Sequence, residues 1–286
     1  MVNADAPPGW RPRSLRAQGL RLAAFEAGAT AGPPVLLLHG LGHWTQAAWD
    51  RLVVRLDPAL RYVAFDLPGS GASEKADARY DPAFFRDVLD EVVAQLGAPQ
   101  IALVGHSLGG QVAADYAGTH PERVDRLALV APAGFAHPRR HVALALVARL
   151  ARPLFLRRPR TGQVAATLRG SVLDPSVLDA AVIARAHALA DERAFREAFA
   201  RVYAAGLPAL VSANRRRATH AVYARYRGPV LCAWGRADRY LPIAALAVVQ
   251  RVYPQASTLV LEHSGHLPMV EEPEPLAAVL RAFLAP

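Results

Sequence analysis

A single cysteine stands in 286 residues, Cys232, so the chain can close no intramolecular disulfide and can offer no cysteine cluster to a metal. Its place in the apolar run Val230 to Trp234 predicts a buried thiol. No run of apolar residues reaches the roughly 18 that a spanning helix needs. Pro7, Pro8, Arg11 and Pro12 interrupt the stretch where a secretory leader would place its apolar segment, so a cytoplasmic location is expected. Also missing are an H-E-x-x-H pair, a G-x-x-x-x-G-K phosphate cradle and a G-x-G-x-x-G after the first strand, which leaves no sign of a metal or nucleotide cofactor.

Lysine is nearly absent as well. Lys75 is the only one, and the formal net charge of +9 rests on arginine. That charge is regional: residues 137–227 hold 17 arginines against 5 acidic residues, a net of +12, while the rest of the chain is at −3. Such a segment can attract an anionic substrate or make weak contact with an acidic membrane surface, or it can be a solvated face of biased composition. No recognised motif interleaves these arginines with aromatics, so nucleic acid is not an expected partner. Apolar residues make up 52% of the chain and charged residues 20%, enough for a substantial core and against global disorder.

Short apolar runs recur between turn residues: Val35 to Leu38, Tyr62 to Phe65, Ile101 to Val104, Leu127 to Val130, Val230 to Trp234 and Thr258 to Leu261. Longer stretches with helical spacing alternate with them, at about Trp44 to Leu56, Pro82 to Leu96, Leu108 to Thr119, Ile243 to Val252 and Pro273 to Phe283. This is the pattern of βα units around a parallel sheet. Ser14 to Leu20 and Leu22 to Glu26 predict an initial hairpin. Between Gly134 and Arg227 the alternation stops and the spacing is helical throughout, which predicts an insertion over the carboxyl ends of the strands, where ligands bind in open α/β sheets.

The chemistry concentrates at strand ends. Gly105-His106-Ser107-Leu108-Gly109 follows one strand and opens a helix, the context in which G-x-S-x-G presents a nucleophilic serine on a tight turn. A serine hydroxyl needs a base. Two histidines compete for that role in His263-Ser264-Gly265-His266, and His266, deeper in the loop, is the better placed. Asp238, in Trp234-Gly235-Arg236-Ala237-Asp238, follows another strand and can orient the base, or it can simply cap the helix after Pro242 or pair with Arg239. The order Ser107, Asp238, His266 is that of the α/β-hydrolase architecture. Acyl transfer also needs amide donors for the oxyanion. His39-Gly40-Leu41-Gly42 places the backbone N–H of Leu41 beside that of Leu108, with His39 holding the loop. Asp66-Leu67-Pro68-Gly69-Ser70-Gly71 reads as an architectural turn.

Taken together, these five segments, with Gly265-His266-Leu267-Pro268 as the last, resemble the α/β-hydrolase superfamily in its serine esterase, lipase and carbon–carbon hydrolase branch, from about residue 33 to the C-terminus. The resemblance implies an eight-stranded, mostly parallel sheet flanked by helices. It also implies a helical cap inserted after the sixth strand, with residues 1–133 and 228–286 as core and 134–227 as cap. The implied activity is hydrolysis of a small-molecule carboxylic ester without a cofactor. Serine at position 107 departs from the aspartate of epoxide hydrolases and haloalkane dehalogenases. His106 and Leu267 depart from the asparagine and tryptophan common in hydrolases of ring-cleavage products, whose vinylogous diketo acids remain the alternative substrate. A ligand-binding protein that kept the fold without catalysis is the third reading.

Overall fold

The computed structural model describes residues 9–135, 139–160 and 162–285, with Leu154 and Phe155 described by backbone alone. Pro7 and Pro8 of the N-terminal segment and His137 at the start of the arginine-rich one lie outside them. Eight strands form one sheet: β1 (Arg11–Ala17), β2 (Leu20–Gly28), β3 (Pro34–Leu38), β4 (Arg61–Phe65), β5 (Ile101–His106), β6 (Val124–Val130), β7 (Val230–Gly235) and β8 (Ser257–Leu261). Their spatial order is β1-β2-β4-β3-β5-β6-β7-β8. β1 and β2 form an antiparallel hairpin that joins β4 antiparallel, and every later pairing is parallel.

The central parallel strands β3, β5 and β7 are buried on both faces, and their side chains alternate between two cores. Leu36 and Leu38 of β3, Ile101 and Leu103 of β5, and Val230, Cys232 and Trp234 of β7 point to one. Val35, Leu37, Ala102, Val104, Leu231 and Ala233 point to the other. A one-residue slip in any strand would exchange the two sets, so pairing register is tightly specified. α2 (Pro82–Leu96), α3 (Leu108–Thr119) and α10 (Leu246–Val252) cover the first face; α1 (Thr45–Val53), α11 (Pro268–Glu271) and α12 (Pro273–Leu284) cover the second.

Helix ends follow local chemistry. Asp81 accepts the Phe84 N–H at 2.8 Å and Pro82 occupies the first turn of α2, while Gly97 closes it in the left-handed conformation. Between β6 and β7 the described chain is helical: α4 (Arg139–Leu150), α5 (Arg152–Phe155), α6 (Gln163–Ser171), α7 (Ala180–Asp191), α8 (Arg193–Val211) and α9 (Ala213–Tyr223), with one short 3₁₀ turn at Pro175–Val177. A satellite cluster of Trp44, Leu168, Ala186, Leu189 and Phe195 packs this insertion on the start of α1.

Several boundaries differ from the sequence reading: Leu20 belongs to the second strand and not the first, α1 stops at Val53 rather than Leu56, and β6 starts at Val124 rather than Leu127. β1 starts at Arg11 rather than Ser14, because Arg11, Pro12 and Arg13 pair with Glu26, Phe25 and Ala24 on an edge where arginines reach solvent. The helix expected from Ile243 begins as a 3₁₀ turn at Ile243–Ala245 and becomes α-helical only at Leu246.

Candidate active site

The direction of winding sets the location. From β3 the chain crosses outward to β4, whereas β5 lies on the other side of β3 and leads on to β6. The carboxyl ends of β3 and β5 therefore diverge, and the crevice between them receives the loop after Leu38 and the turn after His106.

Ser107 sits on that turn with φ of +51° and ψ of −115°, a conformation costly for a residue with a side chain. It is held there from three directions. The Ser107 N–H donates to Val130 O at 3.0 Å, and the Ser107 carbonyl accepts from the N–H groups of Gln111 and Ala133 at 3.0 and 2.9 Å. Glycine at 105 and 109 is a steric necessity: a Cβ on Gly105 would lie 2.5 Å from the Gly109 carbonyl oxygen, and one on Gly109 would lie 2.3 Å from that of Leu38. Although Ser107 occupies the N-cap position of α3, its hydroxyl makes no capping bond and is left to another partner.

That partner is His266. Its Nε2 accepts from Ser107 Oγ at 3.1 Å, and its Nδ1–H donates to Asp238 Oδ2 at 2.8 Å. The other carboxylate oxygen of Asp238 accepts the N–H groups of Tyr240 and Leu241 at 2.7 and 2.9 Å. Asp238 thus closes the turn after β7 and also faces His266, while the 3₁₀ turn that follows Pro242 takes no side-chain cap, so the simpler reading of Asp238 as the cap of that helix does not hold. The Asp238 side chain is fully buried. The structure brings Ser107, His266 and Asp238 into one hydrogen-bonded line. It leaves His263 exposed, with its backbone N–H on Glu272 Oε2 at 2.9 Å.

Leu41 lies in the turn after β3, closed by the His43 N–H on Gly40 O at 3.2 Å. Leu41 and Leu108 both border a cavity of about 10 Å³ whose far wall is α8, through Phe195, Ala198, Phe199 and Val202. Among the described residues no backbone carbonyl takes the N–H of either leucine. His39 holds the loop with both nitrogens: Nδ1–H donates to Gly40 O at 2.8 Å and Nε2 accepts the Leu67 N–H at 2.9 Å. Burial lowers its pKa and keeps it neutral. Asp66 is architectural in a specific way, accepting the Thr45 N–H at the start of α1 and the Ala72 N–H at 2.7 and 2.8 Å.

Several contributors escaped sequence reading. His106 is fully buried, which pushes its pKa well below the usual histidine range, and its Nε2–H donates to the backbone carbonyl of His266 at 2.8 Å. The His266 N–H donates to Ser171 O at the end of α6, at 2.7 Å. Glu271 ties the same two segments together: one oxygen accepts the Gly265 N–H at 2.7 Å and the other those of Leu173 and Asp174. The Tyr240 ring stacks on His266 at 5.4 Å. His43 packs edge-on to His106 at 6.1 Å, and burial pushes its pKa down to about 3. Among the described residues these histidines form no cluster suited to a metal ion. The sequence signal was a buried-looking histidine beside Ser107 and an acidic pair shortly after His266; neither says which distant backbone group it meets.

The model of the alpha/beta hydrolase fold matches residues 33–273. An uncharacterised protein of Mycobacterium tuberculosis is 29% identical over 99% of this chain and 83% of its own length. Lipase 1 of Psychrobacter immobilis is 29% identical over 93% of this chain and 81% of its own. Among solved structures, the 2-hydroxy-6-oxo-6-phenylhexa-2,4-dienoate hydrolase of Rhodococcus superposes with a TM-score of 0.80 at 23% identity, covering 97% of this chain and 99% of that one.

Proposed function

The chain belongs to the α/β-hydrolase fold family, and from that premise we propose that it is a serine hydrolase cleaving a small-molecule carboxylic ester through an acyl-enzyme on Ser107. The observation that carries this reading is the line Asp238–His266–Ser107, with bonds of 2.8 and 3.1 Å. Ser107 Oγ attacks the acyl carbon while His266 Nε2 takes its proton, and Asp238 stabilises the resulting imidazolium and fixes the tautomer. The oxyanion is received by the N–H groups of Leu41 and Leu108, the latter at the positive end of α3. His266 then returns its proton to the leaving alcohol. A water, deprotonated by the same imidazole, hydrolyses the ester to Ser107.

Residues 134–227 act as the cap that selects the substrate, since α8 supplies the wall facing Leu41 and Leu108. A cavity of about 10 Å³ holds no more than a water, so α8 and its phenylalanines move when an acyl group enters. Lipase 1 of Psychrobacter immobilis, matched over most of both chains, supports an ester as substrate.

The test is covalent labelling followed by kinetics on p-nitrophenyl esters of graded chain length, with a dienoate assayed beside them. A fluorophosphonate should leave its adduct on Ser107, and Ser107→Ala should lower kcat on the order of 10⁶-fold. An unlabelled Ser107 in folded protein, or a Ser107→Ala protein that keeps most of its activity, removes the proposal.

A further inference from the structure

α4 is oriented against the usual polarity of a surface helix. Ala145 and Ala148 face inward. On the opposite side, at helical spacing, lie Arg139, Ala143, Leu146 and Leu150, and the two leucines are 39% and 78% exposed. A helix on a water-facing surface places polar residues there. The surrounding chain is basic without relief. From Arg126 to Leu173 it contains no aspartate or glutamate, and residues 139–169 carry eight arginines, of which seven are exposed. Among the described residues only Arg158 of these eight meets a carboxylate at ion-pair distance, Asp191 at 3.6 Å.

We infer that the outer face of α4, with its arginines, is a docking surface for an anionic lipid bilayer. Leucine side chains beside guanidinium groups suit the interfacial layer, where apolar groups enter the acyl boundary and cations meet acidic headgroups. The charge also argues against a second copy of this chain as the occupant, because that would set one basic face against another. The position is apt. Arg140, in the first turn of α4, lies 4.4 Å over the ring of Tyr240, which stacks on His266. A bilayer held on α4 is therefore brought beside the crevice. The docking surface stands whether or not Ser107 is a nucleophile.

Cosedimentation with vesicles tests it, using Ser107→Ala protein so that lipid is not consumed. The vesicles are phosphatidylcholine alone or phosphatidylcholine mixed with phosphatidylglycerol. Binding to the mixed vesicles should exceed binding to the neutral ones by about tenfold and weaken as salt is added. Adding Leu146→Glu and Leu150→Glu should lower that binding about tenfold or more. In the chain with Ser107 present, the same pair should leave hydrolysis of a water-soluble short-chain ester within about twofold and the far-ultraviolet circular dichroism unchanged. Failure to bind mixed vesicles, equal binding to both vesicle types, or binding untouched by the glutamates overturns the inference. So does a dimer in size-exclusion chromatography that the glutamate pair dissociates, which would assign the face to a second copy.

Discussion

Asp238 divides its two oxygens between backbone and imidazole, and that division can be separated by substitution. Oδ1 takes two backbone N–H groups and Oδ2 takes the imidazole. Asp238→Asn can keep the first set through its carbonyl oxygen, but it presents an N–H to His266 Nδ1 and stabilises the wrong tautomer. We expect kcat to fall on the order of 10⁴-fold with little change in melting temperature, whereas Asp238→Ala should lower both. Equal melting temperatures and equal residual activities for the two variants would contradict the division. His106 offers a second test at this scale. Its Nε2–H holds the His266 carbonyl from the position beside Ser107, 160 residues away in the chain. His106→Leu leaves that carbonyl buried without a donor, at a cost of about 1–3 kcal/mol, and loosens the Ser107–His266 distance. Steady-state kinetics should show kcat lowered by roughly 10- to 100-fold with KM held within about twofold, and His106→Gln, which retains an N–H donor, should recover part of the loss. A change confined to KM would mean that His106 serves substrate binding instead.

At the scale of elements, the informative join is between the end of α6 and the loop that follows β8. Glu271 bridges them with one carboxylate, and burial raises its pKa despite the backbone N–H groups it accepts. Glu271→Ala releases three backbone N–H groups together. The expected result is a melting temperature lower by several degrees, from about 1–3 kcal/mol, and a lower kcat, because the Gly265–His266 segment loses an anchor. A variant with unaltered turnover would reduce Glu271 to a structural tie. Such joins mark the limit of what could be read from residue order. β5, α2 and α3 were legible nearly to the residue, because periodicity, Asp81-Pro82 and Gly97 are local signals. The Ser107, His266 and Asp238 positions were legible because each lies just beyond an apolar strand run. Glu271 and His106 act on backbone groups 98 and 160 positions distant, and side-chain identity carries no record of such partners. The helix boundaries within residues 134–227 were not read for a different reason. Alanine, leucine and arginine dominate the helices on both sides of each break, and the turn signals between them, Gly162, Asp174-Pro175 and Ser212 among them, are brief.

The whole molecule carries an electrostatic consequence that no single site shows. Burial lowers the pKa of four histidines: His39, His43 to about 3, His106 well below its usual range, and His141 to about 4. In the unfolded chain each returns to about 6.5. As pH falls through that value the unfolded chain gains protons that the folded chain refuses, so the stability these groups lend is complete above about 6.5 and is lost below it. His39, His43 and His106, fully buried, all act in this sense, and His141, partly solvated, adds less. Asp50 works in the opposite sense. Burial raises its pKa to about 6, so the folded chain takes its proton first, and stability is regained as pH falls from about 6 towards 4. Asp115 and Glu271, whose pKa burial also raises, act in the same sense as Asp50, but the four imidazoles outnumber these three carboxyls, and the total stability of a domain is only about 5–15 kcal/mol. The melting temperature should therefore hold level from pH 8 to about 6.5 and drop steeply to pH 5. His43→Leu, which removes one of the imidazoles, should make that drop shallower. A melting temperature that stays level down to pH 5 would show that these histidines are protonated in the folded protein, and hence that the crevice around His266 admits water and charge far more freely than its packing implies.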